Sequence, residues 1–296
     1  MLQEIFKMFA KATTVALISA SLVSPLSAFS AEQKTIKIGW TAWSDAEAVT
    51  NIAKQILEQK LGYKVELVMT DIGLQYQGIA KGSLDIMLMS WLPTTHKAYW
   101  DKLSSEVVDV GIIYDHAKLG WAVPTYIPES EVKTIEDLKK PQVKEKLKGS
   151  IQGIDPGAGL TRASETAIKT YGLDGYKLLT SSDAGMIVSL DRAVKKQDWI
   201  VVTTWTPHWM FSKYQIRYLE DPKGALGGAE AIHAVSRKGF DKDFVKAAAF
   251  IKNFKISIKD LESVMMKAKG SSYEKEAAAY IKNHPDIVKG WLKDAQ

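Results

Sequence analysis

Beyond its first thirty residues the chain alternates short apolar runs with stretches whose apolar residues recur every three or four positions. The runs predict strands at Thr35–Gly39, Val65–Met69, Leu84–Met89, Ile151–Ile154, Trp199–Thr203 and Ala231–Ser236, while Gly120–Ile127 reads as a crossing into another unit. The 3–4 spacing predicts helices behind Ser44 (Val49, Ile52, Ala53, Ile56, Leu57), over Leu74–Ala80, over Leu160–Tyr171 and over Met186–Lys195. Three more fill the C-terminal part, at Asp243–Phe254, Ile258–Lys267 and Tyr273–Trp291. Ser44-Asp45-Ala46-Glu47 has the form of a capping box, and Gly62 is placed to close the helix that follows.

Alternation of strands and helices predicts doubly wound parallel sheets, and Leu84–Met89 is apolar throughout, as a strand covered on both faces must be. After Ile127 the polar segment Pro128–Lys133 leads into a second β/α unit, and the turn at Asp221-Pro222-Lys223-Gly224 marks the return. The expected architecture is therefore α/β with two lobes. Residues 31–123 and 224–296 form the first, residues 124–223 are inserted as the second, and two crossings make a hinge. No repeat of 20–50 residues is visible.

Composition narrows the class. The chain has 296 residues, 46% hydrophobic and 25% charged, which suits a globular protein rather than a disordered or polytopic membrane one. Its net charge of +5 comes without a basic block, so no nucleic-acid partner is expected. The absence of cysteine removes disulfides, thiolate nucleophiles, Cys-ligated metals and a lipoprotein anchor. Lys7 and Lys11 precede the mainly apolar stretch Ala12–Leu26, and small residues follow at Ser27-Ala28-Phe29-Ser30-Ala31. That order predicts a secretory signal over residues 1–30, cleaved near Ser30, and a periplasmic protein. The apolar stretch is too short for a membrane span, which takes about 20 residues.

Ligands of open α/β sheets bind beyond the carboxyl ends of strands. Trp43, Trp91 and Trp205 all fall at such ends, and the Asp155-Pro156-Gly157-Ala158-Gly159 turn opens a helix at another. A lone tryptophan is most simply a packing residue, but packing gives no reason for three to gather at strand exits in both lobes. The other six of the nine, Trp40, Trp100, Trp121, Trp199, Trp209 and Trp291, are left to packing. Indole faces attract cations, at about 0.5–2 kcal/mol each. A quaternary ammonium fits best, having no N–H to leave unsatisfied. The helix start at Gly159 and Leu160 offers free amides and a positive dipole end, an anion site. Together they describe a site for a small zwitterion.

Three stretches carry a resemblance to the substrate-binding proteins of glycine betaine/proline-type ABC importers: Trp43-Ser44-Asp45 after TIKIGWTA, Ser90-Trp91-Leu92-Pro93-Thr94-Thr95-His96, and Trp205-Thr206-Pro207-His208-Trp209-Met210-Phe211. The IDPGAG turn at 154–159 and YLEDPKG at 218–224 match as well. The resemblance implies a two-lobed periplasmic-binding-protein fold of type II, the Venus-flytrap form. It implies that Trp43, Trp91 and Trp205 box a trimethylammonium group, while Gly159 and Leu160 amides and the His96 imidazole hold a carboxylate. It implies further a membrane permease as partner, a monomer, and no enzyme activity. Relatives that bind choline carry an Asp two residues after the first cage Trp, the place of Asp45; a first-turn helix position gives Asp45 a dipole-stabilising role instead. Because His96 suits a carboxylate, glycine betaine is expected ahead of choline or carnitine.

Other chemistry is weakly marked. Gly157-Ala158-Gly159-Leu160-Thr161-Arg162 only begins like a dinucleotide fingerprint, and no GxxxxGK occurs. The histidines (His96, His116, His208, His233, His284) lack metal-ligand spacing, so neither metal nor cofactor is expected. His208 reads as a helix-start residue after Pro207. Asp183 and Asp191 have no sequence reason to act as a pair. An exported α/β enzyme using the same cleft is the alternative from another class.

Overall fold

The computed structural model describes residues 33–295, so the expected export signal over residues 1–30 lies outside the described residues. Nine strands form one continuous sheet. They are β1 (Thr35–Trp40), β2 (Lys64–Met69), β3 (Ile86–Leu92), β4 (Val107–Pro124), β5 (Ser150–Gln152), β6 (Lys177–Leu179), β7 (Val202–Thr206), β8 (Ile216–Tyr218) and β9 (Ala229–Arg237). The strand order is β2-β1-β3-β9-β4-β7-β5-β6, with β8 also on β4. The helices are α1 (Ser44–Gln59), α2 (Ile72–Ala80), α3 (Lys97–Leu103), α4 (Pro141–Lys146), α5 (Gly159–Thr170), α6 (Asp183–Lys196) and α7 (Met210–Lys213). They continue with α8 (Phe240–Asp243), α9 (Val245–Asn253), α10 (Ile258–Ala268), α11 (Tyr273–Asn283) and α12 (Pro285–Leu292).

The sheet is mixed rather than parallel. β1 pairs with β2 and β3 in parallel, as β5 does with β6 and β7. β4 and β9 run antiparallel to each other, β9 also to β3, and β4 also to β7 and β8. Gly120–Ile127, expected as a crossing, begins instead as the last part of a strand, β4, which starts at Val107 and ends at Pro124. Polar and half-exposed positions such as Asp109, Asp115 and Lys118, with three register shifts against β9, hide the rest from a periodicity count.

Two apolar cores follow from the patterns. On α1, Val49, Ile52, Ala53, Ile56 and Leu57 are all buried, and burial of each Val, Ile or Leu side chain contributes about 1.5–3 kcal/mol. They join Ile36 and Ile38 of β1 and Phe250, Phe254 and Trp291 of the C-terminal helices. A second core gathers Trp121, Val123, Ile135, Val143, Ile151, Tyr171 and Leu219. The predicted helix Tyr273–Trp291 is interrupted after Asn283, where Pro285 has no N–H to continue the first ladder and instead starts α12. Asp243–Phe254 is likewise split into α8 and α9. The strand expected at Trp199–Thr203 begins three residues later, so Trp199 precedes β7. Among the described residues no helix is long and apolar enough to cross a membrane.

Candidate functional site

The loop after β1, the ends of β3 and β7, and the start of α5 converge on one cavity. Its lining holds Trp43, Trp91, Trp205, His96, Gly159 and Leu160, six of the seven residues that the sequence singled out. Thr95, Leu119, Ile154 and Ala158 complete it. Leu119 had no signal of its own; it is there because it sits opposite Trp205 in the β4–β7 register. Trp91 and Trp205 are the penultimate residues of β3 and β7 rather than residues beyond them. None of the ten lining side chains carries a formal charge.

Charges stand directly behind the lining instead. The Trp43 indole N–H donates to Asp155 Oδ2 at 2.8 Å, and that of Trp205 to Asp45 Oδ1 at 3.1 Å. Asp45 is fully buried and its other oxygen accepts from the Tyr114 hydroxyl at 2.7 Å. Burial raises its carboxyl to about 6, against the pull of the Tyr114 and Trp205 bonds and of His208. Asp45 therefore braces an indole and does not line the cavity, and its expected dipole role is a lesser part of its position. A carboxylate on an indole N–H makes the ring more electron-rich, so two of the three faces are strengthened toward a cation.

The start of α5 supplies the opposite polarity. Ala158, the residue before α5, makes no side-chain cap bond, and the first amides of a helix have no partner within it. A Cβ at Gly159 would lie 2.3 Å from Thr95 Cγ2 and 2.9 Å from the Thr95 carbonyl, so only glycine lets the helix start come this close. His96 is fully buried beside it. Its Nδ1 accepts from the Trp91 amide at 3.0 Å, which places the ring proton on Nε2, and Nε2 is buried without a partner. Burial, with the positive charge of Arg162, lowers His96 to about 3, so the ring is a neutral donor. Arg162 lies in the first turn of α5, donates to the Tyr99 hydroxyl at 2.6 Å and stacks on that ring at 4.6 Å. The His96 loop is pinned by the buried Glu230, which accepts from the amides of Thr94 at 2.9 Å and Thr95 at 2.8 Å and from the Thr95 hydroxyl.

The capping box expected at Ser44–Glu47 does not form. Trp43 is the cap residue of α1 and contributes no side-chain bond, while the Ser44 hydroxyl turns to Asp183 Oδ2 at 2.8 Å. His208 stands two residues before α7 and its Nδ1 accepts from the first amide of that helix, Met210, at 3.0 Å, which leaves Nε2 of the buried ring to donate to Asp183 Oδ1 at 3.1 Å. Asp191, in contrast, is paired with Lys195 at 2.6 Å, away from this cluster. His233 bonds Asp109 at 2.9 Å, and among the described residues no group of His, Cys, Asp and Glu could hold a metal ion.

A mixed sheet with a cavity where several strand ends meet is the organisation of a type II periplasmic binding protein, and solved structures of that class superpose well. Lactococcal OpuAC, in a closed-liganded conformation complexed with glycine betaine, is 35% identical with a TM-score of 0.81, over 88% of this chain and 100% of that one. The glycine betaine, L-proline-binding protein ProX of Borrelia burgdorferi is 34% identical, TM-score 0.82, over 88% and 97%. An ABC-transporter choline binding protein in complex with choline is 28% identical, TM-score 0.80, over 88% and 91%. The glycine betaine/carnitine transport binding protein GbuC of Listeria monocytogenes is 43% identical over 158 residues, which make up 52% of this chain and 52% of that protein, so the match spans about half its length. The profile described as the substrate binding domain of ABC-type glycine betaine transport systems matches residues 34–283, and the chain belongs to that family.

Proposed function

We propose that the protein captures glycine betaine, or a closely related quaternary ammonium zwitterion, outside the cytoplasmic membrane and delivers it to the membrane permease of an ABC importer. The observation that carries this reading is the make-up of one lining: two indoles whose N–H groups are held by carboxylates, together with an unpaired His96 Nε2–H and the start of α5. Trp43, Trp91 and Trp205 box the trimethylammonium group, while His96 and the amides of Gly159 and Leu160 hold the carboxylate. Residues 1–30 direct export and are removed near Ser30, and the protein acts as a monomer.

Residues 31–123 and 224–296 form one lobe and residues 124–223 the other. Most of the second core lies within residues 124–223, with Trp121, Val123 and Leu226 joining it from the crossings, and this supports the division. Neither lobe completes the box, so ligand favours the closed form by the difference in its affinity for the two. Binding without conversion fits the chemistry: a histidine titrating near 3 is too weak a base to take protons near neutrality. Choline is the second reading, favoured by the position of Asp45. Asp45 is buried behind Trp205 and does not line the cavity, and this puts choline behind betaine. Calorimetric titration with glycine betaine, choline, carnitine and proline is the test. Tightest binding of glycine betaine supports the reading; heat from none of them, or conversion of the solute, rejects it.

A further inference from the structure

α1 is a 16-residue helix with no side-chain cap of its own. Its first amide is nonetheless satisfied, by a residue from far along the chain. Asp183 Oδ2 accepts from the Ser44 N–H at 3.2 Å and from the Ser44 hydroxyl at 2.8 Å, while Asp183 Oδ1 is held by His208. The Trp209 indole N–H then donates to the Ser44 hydroxyl at 2.9 Å. All four side chains are buried, and none lines the cavity. Burial alone would raise the Asp183 carboxyl, but the His208 ring and the two Ser44 donors outweigh it and hold the group below the usual range. Asp183 is thus a charged cap on the positive end of a helix that belongs, in the division proposed above, to the other lobe.

We propose that Asp183 is a positioning residue for ligand capture: by capping α1 across the cleft it sets how far the two lobes favour closure, and so scales the affinity for every ligand alike without touching any. The inference rests on the two-lobe reading. When the lobes part, α1 loses its only cap and Trp209 its acceptor. Each closed molecule therefore gains a fixed increment that is independent of what fills the cavity. A residue that merely stabilised one lobe would leave that balance unchanged.

The test compares the purified protein with Asp183→Asn, titrated with glycine betaine and with choline. Loss of a cap corresponds to about 3- to 30-fold in an equilibrium. Both affinities are expected to weaken by the same factor within that range, leaving their ratio unchanged, with faster ligand release. Ser44→Ala, which attacks the same contact from the other side, should act in the same direction and add little in the double variant; it also serves if Asp183→Asn does not fold. Since the chain has no cysteine, Lys81→Cys and Glu145→Cys allow one spin label in each proposed lobe. Without ligand, Asp183→Asn should shift the label distances toward longer values. Unchanged affinities and distances, or a loss confined to one ligand, would overturn the proposal. If neither ligand binds the parent protein but the distances still shift, the cap stands and the substrate reading falls.

Discussion

Asp45 and Trp205, 160 positions apart in sequence, are joined by an indole-to-carboxylate hydrogen bond of 3.1 Å inside the protein. The bond orients the ring and places a negative charge behind it. The two residues before Asp45, Trp43 and Ser44, donate to the carboxylates of Asp155 and Asp183. A run of three residues at the head of α1 therefore reaches the turn before α5, α6, β7 and, through Tyr114, β4, and most of the expected behaviour of the site follows from it.

Trp205→Ala removes one face of the proposed box together with a partner of Asp45. Glycine betaine affinity should drop at least about tenfold, corresponding to roughly 1.4 kcal/mol or more. Trp91→Phe should cost less than Trp91→Ala, because a smaller quadrupole survives. Calorimetry on the three variants measures both effects, and parent-like affinity in Trp205→Ala would take that residue out of the site.

His96→Ala should hurt glycine betaine more than choline. Only betaine has a carboxylate to accept from Nε2, and a hydrogen bond to a charged group contributes about 1.5–3 kcal/mol, or roughly 10- to 150-fold. Equal losses for the two ligands would make His96 a packing residue.

The pH dependence follows from the two shifted groups. Asp45, raised to about 6, is ionised at pH 7.5 and mostly protonated at pH 5. A cationic head group favours the ionised form, so affinity should fall about three- to tenfold as pH drops across that interval. His96, at about 3, remains neutral throughout and contributes no slope. Asp45→Asn should be weaker at pH 7.5 and flat with pH. A slope that survives in this variant would assign the titration elsewhere.

Gly159→Ala introduces a methyl group that the Thr95 side chain and carbonyl leave no space for. The helix start must retreat, and glycine betaine affinity should decline more than tenfold, while Gly224→Ala, open on all sides though left-handed, should leave it unchanged. Parallel titrations and melting curves separate loss of binding from loss of fold.

The sequence carried the α/β class and the strand and helix starts around the cavity, because the residues there combine clean periodicity with turn chemistry. The gathering of Trp43, Trp91, Trp205, Gly159 and Leu160 was legible because strand ends and a glycine-rich helix start are local features, whereas His96 was marked only by the family resemblance. What stayed hidden was long-range. Nothing near Ser44 announces that its hydroxyl prefers Asp183 to its own helix, and nothing near His208 announces a buried carboxylate 25 residues earlier in the chain. The front half of β4 was missed for a related reason, since its bulged pairing with β9 breaks the alternation that a period-two reading needs.

The close seat of Gly159 against Thr95 means that one wall of the cavity consists of main chain. Amides have the same chemistry whatever the codon, so this wall changes only where a substitution, as at Gly159, forces the main chain back. Changes in solute preference over evolutionary time are thereby channelled to the lining side chains and to the carboxylates that brace the indoles, leaving the main chain at Gly159 as the fixed part of the design.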